Sequence, residues 1–306
     1  MPDALTRFVF EYAPVKGGIV QLGETWKTVQ SHADYPAPLK KILGELLAAA
    51  ALLTANIKFE GSMVLQLHGD GPVRLIVVEA TSQKTLRATA KWDPAKWDAA
   101  KWDAAKWTND VSAGGTLGEL LGHGHFAITL DQSKAGKQNY QGIVDLQGDS
   151  VAATLTRYMQ SSEQLDTRIY LAANDETVAG MLLQRMPEQK SADEDDWNRA
   201  VILADTLKPD ELLNVPPGDL LMRLFHEETL RQFAQEPLSF ACSCSREKVG
   251  NMINMLGQDE VNAILAEQGK IETHCDFCNK QYVFDAVDAA LLFSEQPVPA
   301  ASDTRH

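Results

Sequence analysis

The pattern of apolar and polar positions divides the chain into a long mixed part, a short helical part and a last part of mixed character. In the long part, short or alternating apolar runs bounded by turn residues predict eight strands, and helical spacing predicts two helices. The predicted strands cover residues 7–11, 19–22, 63–67, 73–78, 126–130, 142–146, 168–171 and 180–184. The helices cover residues 37–56 and 151–160, with Asp149 or Ser150 as N-cap of the second.

A turn is predicted between the third and fourth of these strands. Residues 68–72 read His-Gly-Asp-Gly-Pro. Glycine supplies positive φ angles, and proline cannot pair in a strand ladder. The segment therefore reads as a turn between two strands.

The helical part carries short apolar-faced patterns separated by breakers. Pro209 and the Pro-Pro-Gly sequence at 216–218 interrupt these patterns, and the last predicted helix covers residues 219–233. Its apolar residues are Leu220, Leu221, Leu224, Phe225, Leu230 and Phe233. Because isolated helices of this length are marginal in water, they must dock on another surface. We interpret the acidic run at 193–196 as a solvated face.

In the last part, helices are predicted over residues 246–257 and 260–268, and residues 296–306 form a polar tail with two prolines. The predicted fold class is α+β. It comprises a mixed α/β N-terminal core domain at 1–186, a metastable helical linker at 187–237, a small C-terminal four-cysteine zinc-binding domain at 238–295 and a disordered tail.

A Lys-Trp-Asp repeat at residues 91–107 contains four of the six tryptophans, spaced five residues apart. Five residues advance about 140° on a helix and change faces on a strand, so neither structure gives a continuous tryptophan stripe. We interpret the repeat as a duplicated insert in an exposed loop. The alternative is an aromatic surface for unfolded chains or for self-association.

The net charge of −14 is concentrated in the second half of the chain. Residues 186–237 hold 5 basic and 12 acidic side chains, and residues 238–306 hold 5 and 10. A zinc ribbon that reads nucleic acid needs a basic surface, so this class is disfavoured, although salt-sensitive binding to DNA or RNA would revive it. The composition, 44% hydrophobic and 23% charged, is typical of globular proteins.

The sequence predicts a cytoplasmic protein that does not bind membranes. The first thirty residues lack a basic start followed by an apolar core. The most apolar helical stretch, residues 46–55, is about half of the ~20 residues that span a bilayer.

Enzymatic activity is not expected. The chain has neither the Gly-x4-Gly-Lys-Ser/Thr loop of ATP-driven proteins nor the Gly-x-Ser-x-Gly elbow of hydrolases. His123 and His125 could share a strand face, but we interpret them as ordinary loop or rim residues rather than metal ligands.

All four cysteines lie within 37 residues of one another, and the 241 residues before them contain none. They are Cys242, Cys244, Cys275 and Cys278. Two close thiol pairs separated by 30 residues can close a tetrahedral zinc site, which leaves no position open for metal-activated water. We interpret His274 as a flanking residue that affects thiol reactivity, not as a ligand.

From spacing alone, an inert zinc ribbon and a redox switch are both open. A segment of about 55 residues is near the lower limit for a self-sufficient core. Structural zinc contributes ~10–16 kcal/mol of apparent binding energy, against domain stabilities of ~5–15 kcal/mol, so oxidation of the ligands should unfold the segment. If each cysteine joined its near neighbour, nothing would tie Cys244 to Cys275.

A third alternative is a thiol–disulfide oxidoreductase that uses Cys275 and Cys278. This class is disfavoured because the motif follows no βαβ pattern and a second cysteine pair is present.

The sequence closely resembles the redox-regulated chaperone family called heat shock protein 33, or 33 kDa chaperonin. The most specific segments are Cys-Ser-Cys-Ser-Arg-Glu at 242–247 and His-Cys-Asp-Phe-Cys at 274–278. Further matching segments lie at residues 69–72, 140–142, 162–165, 180–184 and 224–228. The resemblance therefore covers nearly the whole chain, although the Lys-Trp-Asp repeat is not part of the family pattern.

This resemblance implies a redox-regulated holdase that works without ATP. The reduced form, with one Zn²⁺ on the four cysteines, would be inactive. Oxidation would form the disulfides Cys242–Cys244 and Cys275–Cys278, release zinc and unfold the zinc domain and linker. The apolar surface so exposed would bind unfolding or oxidatively damaged client proteins, with the oxidised protein a homodimer.

Overall fold

The computed structural model describes residues 3–99, 116–133, 136–146, 148–186 and 194–294. The chain divides into two compact units, Met1–Ala241 and Cys242–His306. Numbered in chain order, the first unit has these strands: β1 Ala4–Phe10, β2 Val15–Leu22, β3 Ser62–Gly69, β4 Val73–Thr81, β5 Thr85–Trp92, β6 Gly124–Asp131, β7 Tyr140–Asp145, β8 Thr167–Ala173, β9 Val178–Arg185, β10 Leu230–Gln232, β11 Glu236–Pro237 and β12 Ser239–Phe240. Its helices are α1 Glu24–Gln30, α2 Ala37–Ala55, α3 Pro94–Ala99, α4 Leu117–Leu121, α5 Val151–Ser161, α6 Glu194–Ala204, α7 Pro209–Asn214 and α8 Pro217–Phe225.

The strands of the first unit form two sheets. The first sheet has the order β10-β1-β2-β9-β8, with β11 also on β1, and all its pairs are antiparallel. The second has the order β12-β5-β4-β3-β6-β7. Its only parallel pair among the described residues is β5 with β12.

Helix α2 packs against strands of both sheets and forms the centre of the main core. Every residue from Ile42 to Leu53 is buried, so this part of the helix is enclosed on all sides. Small residues allow the close packing: a Cβ atom added at Gly44 would lie 2.6 Å from Val178 Cγ1. The helix therefore belongs to the interior rather than to the surface.

Glu45 is the buried carboxyl group of α2. Burial raises its pKa from 4.5 to about 7, and the nearby Lys41 only partly offsets this. The native state therefore holds this proton more tightly than the unfolded chain does. The free energy of unfolding should fall as the pH rises from about 4.5 to 7. Above pH 7 the full cost of ionising the buried carboxyl group applies.

We expect Glu45→Gln to stabilise the protein at pH 8 and to have little effect at pH 4.5. The gain at pH 8 should be on the order of 1–3 kcal/mol, because the amide needs no ionisation. Urea unfolding of both proteins, followed by circular dichroism at the two pH values, measures the difference. A stability difference that does not change with pH would mean that the carboxyl group titrates normally.

The outer face of the first sheet is covered by the helices predicted for the linker. Leu220, Leu224 and Phe225 of α8 form a buried cluster with Phe8 and Phe10 of β1. The side chain of Gln21 on β2 donates hydrogen bonds to the backbone carbonyls of Leu212 and Val215, both at 2.9 Å. These short helices are thus held by packing and by a buried polar contact.

The second unit is built around a small hairpin. It contains α9 Arg246–Leu256, α10 Gln258–Gln268, β13 Ile271–His274, β14 Gln281–Phe284 and α11 Ala286–Ser294. Strands β13 and β14 pair antiparallel. The core is small and consists of Ile253, Val261, Ile271, Tyr282, Phe284 and Ala289.

The predicted α+β class is confirmed, and each of the eight predicted strands overlaps an observed strand. The turn at 68–72 joins β3 to β4, and Ser150, not Asp149, caps α5 by accepting from the N–H of Ala153.

Among the described residues, no helix combines the length and apolarity that crossing a bilayer requires.

The predicted helix over 219–233 is wrong beyond Phe225. Residues 230–232 form β10, which pairs with β1. The edge of the first sheet offers unpaired backbone groups, and this pairing competes successfully with continuation of the helix.

The loop interpretation of the Lys-Trp-Asp repeat is wrong for its first part. Trp92 ends β5 and packs against Tyr35 at a ring distance of 5.7 Å. Asp93 then accepts hydrogen bonds from the N–H groups of Ala95 and Lys96 at the start of α3. Residues 100–107 of the repeat, and the tail predicted at 296–306, lie outside the described residues.

The sequence prediction missed several elements, among them β5, α1, α4, α11 and the hairpin of β13 and β14. The inward positions of β5 are Leu86, Ala88 and Ala90, and alanine gives a weak alternation signal. Helix α1 is only seven residues long.

Candidate metal centre

The four cysteine sulfur atoms of the second unit lie within 4.8 Å of one another. The Sγ atoms of Cys242 and Cys275 are 3.6 Å apart, and those of Cys244 and Cys278 are 3.4 Å apart. A tetrahedral zinc site with Zn–S distances of ~2.3 Å has edges of about 3.8 Å. The donor set and its dimensions therefore fit Zn²⁺, with all four residues as ligands.

Local backbone structure positions each pair. Cys242 and Cys244 come directly before α9, whose first turn is capped by Ser245. Cys275 and Cys278 lie in the turn between β13 and β14. The N–H of Cys275 donates to the carbonyl of Lys280 at 3.0 Å, and the N–H of Asn279 donates to the carbonyl of Cys275 at 2.8 Å.

The hairpin turn also requires an unusual backbone conformation. Asn279 has a φ of 54°, in the left-handed region that asparagine tolerates better than most residues. The site thus joins the segment before a helix to a hairpin turn more than thirty residues later in the chain.

Three of the thiols, those of Cys244, Cys275 and Cys278, differ in pKa. Burial acts to raise the pKa of Cys244, but hydrogen bonds from Tyr282 and from the other three cysteines outweigh it and lower the pKa to about 7. Burial raises the pKa of Cys275, and burial together with the neighbouring Cys244 raises that of Cys278 to about 12. Cys244 therefore ionises before Cys275 and Cys278. A bound divalent cation would favour the thiolate form of all four cysteines.

Tyr282 is the one residue of the site that the sequence did not single out. Its hydroxyl donates to Cys244 Sγ at 3.1 Å, and its ring packs in the small core. Period-two alternation in the Gln-Tyr-Val-Phe strand would have placed Tyr282 and Phe284 on the inner face. No sequence signal indicates that the hydroxyl reaches a cysteine.

We expect Tyr282→Phe to weaken zinc binding roughly ten-fold. Groups that donate hydrogen bonds to metal ligands orient those ligands and commonly change affinity by ~10–100-fold when removed. Competition with a chelator of known affinity measures the change. Val283→Ala is the matched control, because Val283 lies on the same strand with its side chain on the other face. Equal affinities for Tyr282→Phe and the parent protein would show that the hydroxyl does not act on the metal.

The histidines considered from the sequence lie outside this group. His274 is exposed at the end of β13. Among the described residues, the group of side chains with metal-binding dimensions consists of the four cysteines. His125 on β6 stacks on His68 on β3, with ring centroids 4.6 Å apart. The Nδ1 atom of His123 lies 3.6 Å from Asp70 Oδ2. Within the described residues, no other group of three or more potential ligands has metal-binding dimensions.

Comparisons with known proteins give one consistent result. Residues 3–285 match the family model described as Hsp33 protein. The chain is 47% identical over 306 residues to the 33 kDa chaperonin of Methylobacillus flagellatus, with 99% of each chain covered. It is 48% identical over 305 residues to the 33 kDa chaperonin of Chromobacterium violaceum, covering 99% of this chain and 98% of that one.

A solved structure shares the fold. The 33 kDa chaperonin (heat shock protein 33 homolog) from Thermotoga maritima superimposes with a TM-score of 0.78 at 22% identity. The match covers 96% of this chain and 98% of the other.

Proposed function

Since the chain belongs to the Hsp33 protein family, we propose that it is a redox-regulated holdase chaperone that works without ATP. Its relatives named 33 kDa chaperonin support the chaperone class. The redox switch rests on one observation above all, the cluster of four sulfur atoms that brings the start of the second unit to the turn between β13 and β14.

In the reduced protein, Cys242, Cys244, Cys275 and Cys278 would hold one Zn²⁺, which supplies the cross-link that the small core lacks. This core has six buried apolar residues among those described. A unit of this size depends strongly on its metal, because structural zinc contributes ~10–16 kcal/mol. We propose that this reduced form is inactive as a chaperone.

Oxidation by peroxide would remove the ligands. Each disulfide forms with the loss of two electrons and two protons from a thiol pair, and one peroxide molecule is reduced to two water molecules. The proposed pairs are Cys242–Cys244 and Cys275–Cys278, as the family resemblance implies. The shortest sulfur distances, 3.6 Å from Cys242 to Cys275 and 3.4 Å from Cys244 to Cys278, join cysteines of different proposed disulfides. They do not decide the pairing, because all four sulfur atoms lie within 4.8 Å of one another.

Loss of the zinc domain fold would release the linker. The proposed domain limits are 1–186 for the core, 187–237 for the linker and 238–295 for the zinc domain. Helices α6, α7 and α8 are 11, 6 and 9 residues long, so they keep their fold only while packed on the first sheet. Their release would expose Phe8, Phe10 and Ile19 to client proteins.

The partners are proposed to be unfolding or oxidatively damaged proteins, with a homodimer as the oxidised form. We propose a cytoplasmic location, since that compartment keeps thiols reduced until an oxidant appears. Catalysis, nucleic-acid binding and membrane binding are not part of this proposal.

The oxidoreductase alternative receives no support from the surroundings of Cys275 and Cys278. Reactive Cys-x-x-Cys pairs commonly lie at a helix N-terminus, which lowers the pKa of the attacking thiol. Here the pair lies in a hairpin turn, and burial raises the pKa of both thiols.

Light scattering of a thermally unfolding client protein tests the proposal. The reduced, zinc-loaded protein should leave aggregation unchanged, and peroxide treatment at mildly raised temperature should make the protein suppress it. Dithiothreitol with added zinc should restore the inactive form. If the reduced and oxidised samples behave alike, the cysteines form a plain structural zinc site and the proposal fails.

A further inference from the structure

A cavity of about 480 Å³ lies at the C-terminal end of α2 in the first unit. Residues of both sheets and of α5 line it, and its walls are mostly apolar. The apolar lining includes Leu53, Ile57, Met63, Ile128, Leu130 and Met159. Its volume falls in the range of ~300–1,000 Å³ that is typical of small-molecule sites.

Lys16 is the cationic side chain of this cavity. It lies on β2 opposite Gln184 of β9, on the strand face that also carries Gly18. A Cβ atom at Gly18 would touch Leu52 of α2 at 3.6 Å, so this face is turned toward α2. The lysine therefore projects into the space between the sheets and not toward the linker helices.

In the part of the chain that the structure describes, no carboxylate oxygen lies within 4.0 Å of the Nζ atom of Lys16, so its ammonium group has no ion-pair partner there. Burial lowers the pKa of the group, and no neighbouring charge opposes this shift. A half-buried cation without a counter-ion is costly, and an anionic ligand would remove that cost.

The carboxylate of the cavity is already engaged. Glu163 Oε1 accepts hydrogen bonds from the hydroxyls of Tyr140 at 3.1 Å and Tyr158 at 2.9 Å. These groups come from β7, α5 and the segment after α5, whereas Lys16 comes from the first sheet. The cavity thus offers one unpaired cation among apolar walls.

A second cavity, of about 680 Å³, continues from the first and shares Lys16, Asn56 and Ile57 with it. Five cationic side chains and two carboxylates line this second cavity. Glu236 pairs with both Arg7 and Lys84, so three lysines remain in this cavity against the single carboxylate of Glu60. This local excess of positive charge stands out in a chain of net charge −14.

We propose that the apolar cavity binds a single-chain anionic amphiphile of the fatty-acid type, with its carboxylate at Lys16. The aliphatic chain lies against the apolar walls, and the cationic neighbouring cavity favours approach of the charged head. This site is separate from the cysteine centre and from the surface covered by α8. It therefore stands or falls independently of the redox switch.

Isothermal titration calorimetry of the reduced, zinc-loaded full-length protein tests the site. Decanoate, below its micelle concentration, should bind saturably with one site per chain. Octanoate should bind roughly fifteen-fold more weakly, because each buried methylene strengthens binding about four-fold. Decyltrimethylammonium should bind at least ten-fold more weakly than decanoate.

Three variants identify the charged contact. Lys16→Met should weaken decanoate binding at least ten-fold, since charge-assisted hydrogen bonds contribute about that much. Lys16→Arg keeps the charge and should retain binding. Lys27→Met is the control, because Lys27 lies on α1, lines neither cavity and pairs with Glu176.

Two outcomes would overturn the proposal. One is equal decanoate affinity for Lys16→Met and the parent protein, with both folded by circular dichroism. The other is binding that does not depend on chain length or on the sign of the head-group charge, which would indicate non-specific adsorption. The titration does not depend on client aggregation, so failure of the holdase proposal would leave the decanoate result unaffected.

Discussion

Phe225→Ala should make the reduced, zinc-loaded protein suppress client aggregation without any oxidant. Phe225 is 1% exposed, and its ring lies 5.1 Å from that of Phe10 and 6.3 Å from that of Phe8. Replacing a buried phenylalanine by alanine commonly costs about 3–5 kcal/mol. A nine-residue helix has no stability of its own to offset that loss, so α8 should leave the first sheet.

The same helix provides the matched control. Met222 is 69% exposed, so Met222→Ala should leave the reduced protein inactive. Phe225→Leu, which removes less volume, should give intermediate activity. Each variant should still hold one zinc per chain, which separates release of the linker from loss of the metal. A folded Phe225→Ala protein that stays inactive until peroxide is added would contradict the role of α8 as a removable cover.

Cys275→Ser should abolish stoichiometric zinc binding and unfold the second unit. Serine is a poor ligand for Zn²⁺, and three remaining thiolates cannot close the four-sulfur site. Because structural zinc contributes ~10–16 kcal/mol to units of this kind, the small core around Phe284 should not persist without it. Zinc content by a colorimetric chelator and amide dispersion by NMR measure the two effects.

Ser243→Ala is the control for Cys275→Ser. Ser243 lies between Cys242 and Cys244 and is exposed, so its hydroxyl can be removed without change to the donor set. That variant should keep one zinc per chain. If Cys275→Ser also kept its zinc and its fold, another donor such as His274 would have to complete the site, and the four-cysteine assignment would be wrong.

The sequence alone predicts the residues of the metal centre more completely than the fold around them. Two thiol pairs at these spacings predict a common site, and the structure brings all four sulfur atoms together. The hydroxyl of Tyr282 could not be predicted, because its contact with Cys244 depends on the pairing of β13 with β14. Contacts of that kind are set by tertiary structure and leave no local pattern.

The same limit explains the errors in the secondary structure. The run from Leu230 to Phe233 continues an apolar helical pattern, yet β1 offers an open edge that only the folded sheet contains. Strand β5 was missed because Ala88 and Ala90 give little alternation. By contrast, α2 and the strands with Val, Ile and Leu on alternate positions were predicted well, since their patterns are local.

Lys16 is a further residue whose surroundings the sequence does not show. In the sequence it is one lysine near the start of a strand. Its environment depends on β9 and α2, which place it in an apolar cavity whose carboxylate, Glu163, already accepts hydrogen bonds from two tyrosine hydroxyls.

Hydrogen exchange of the backbone amides tests the central claim most directly, namely that oxidation of the cysteines releases the helices on the first sheet. The reduced, zinc-loaded protein and the peroxide-treated protein would be compared by mass spectrometry. We predict that residues 194–225 and 242–294 lose protection on oxidation, while β3, β4 and β6 keep theirs. Protection of residues 194–225 that stays unchanged after both disulfides have formed and zinc has left would contradict the account.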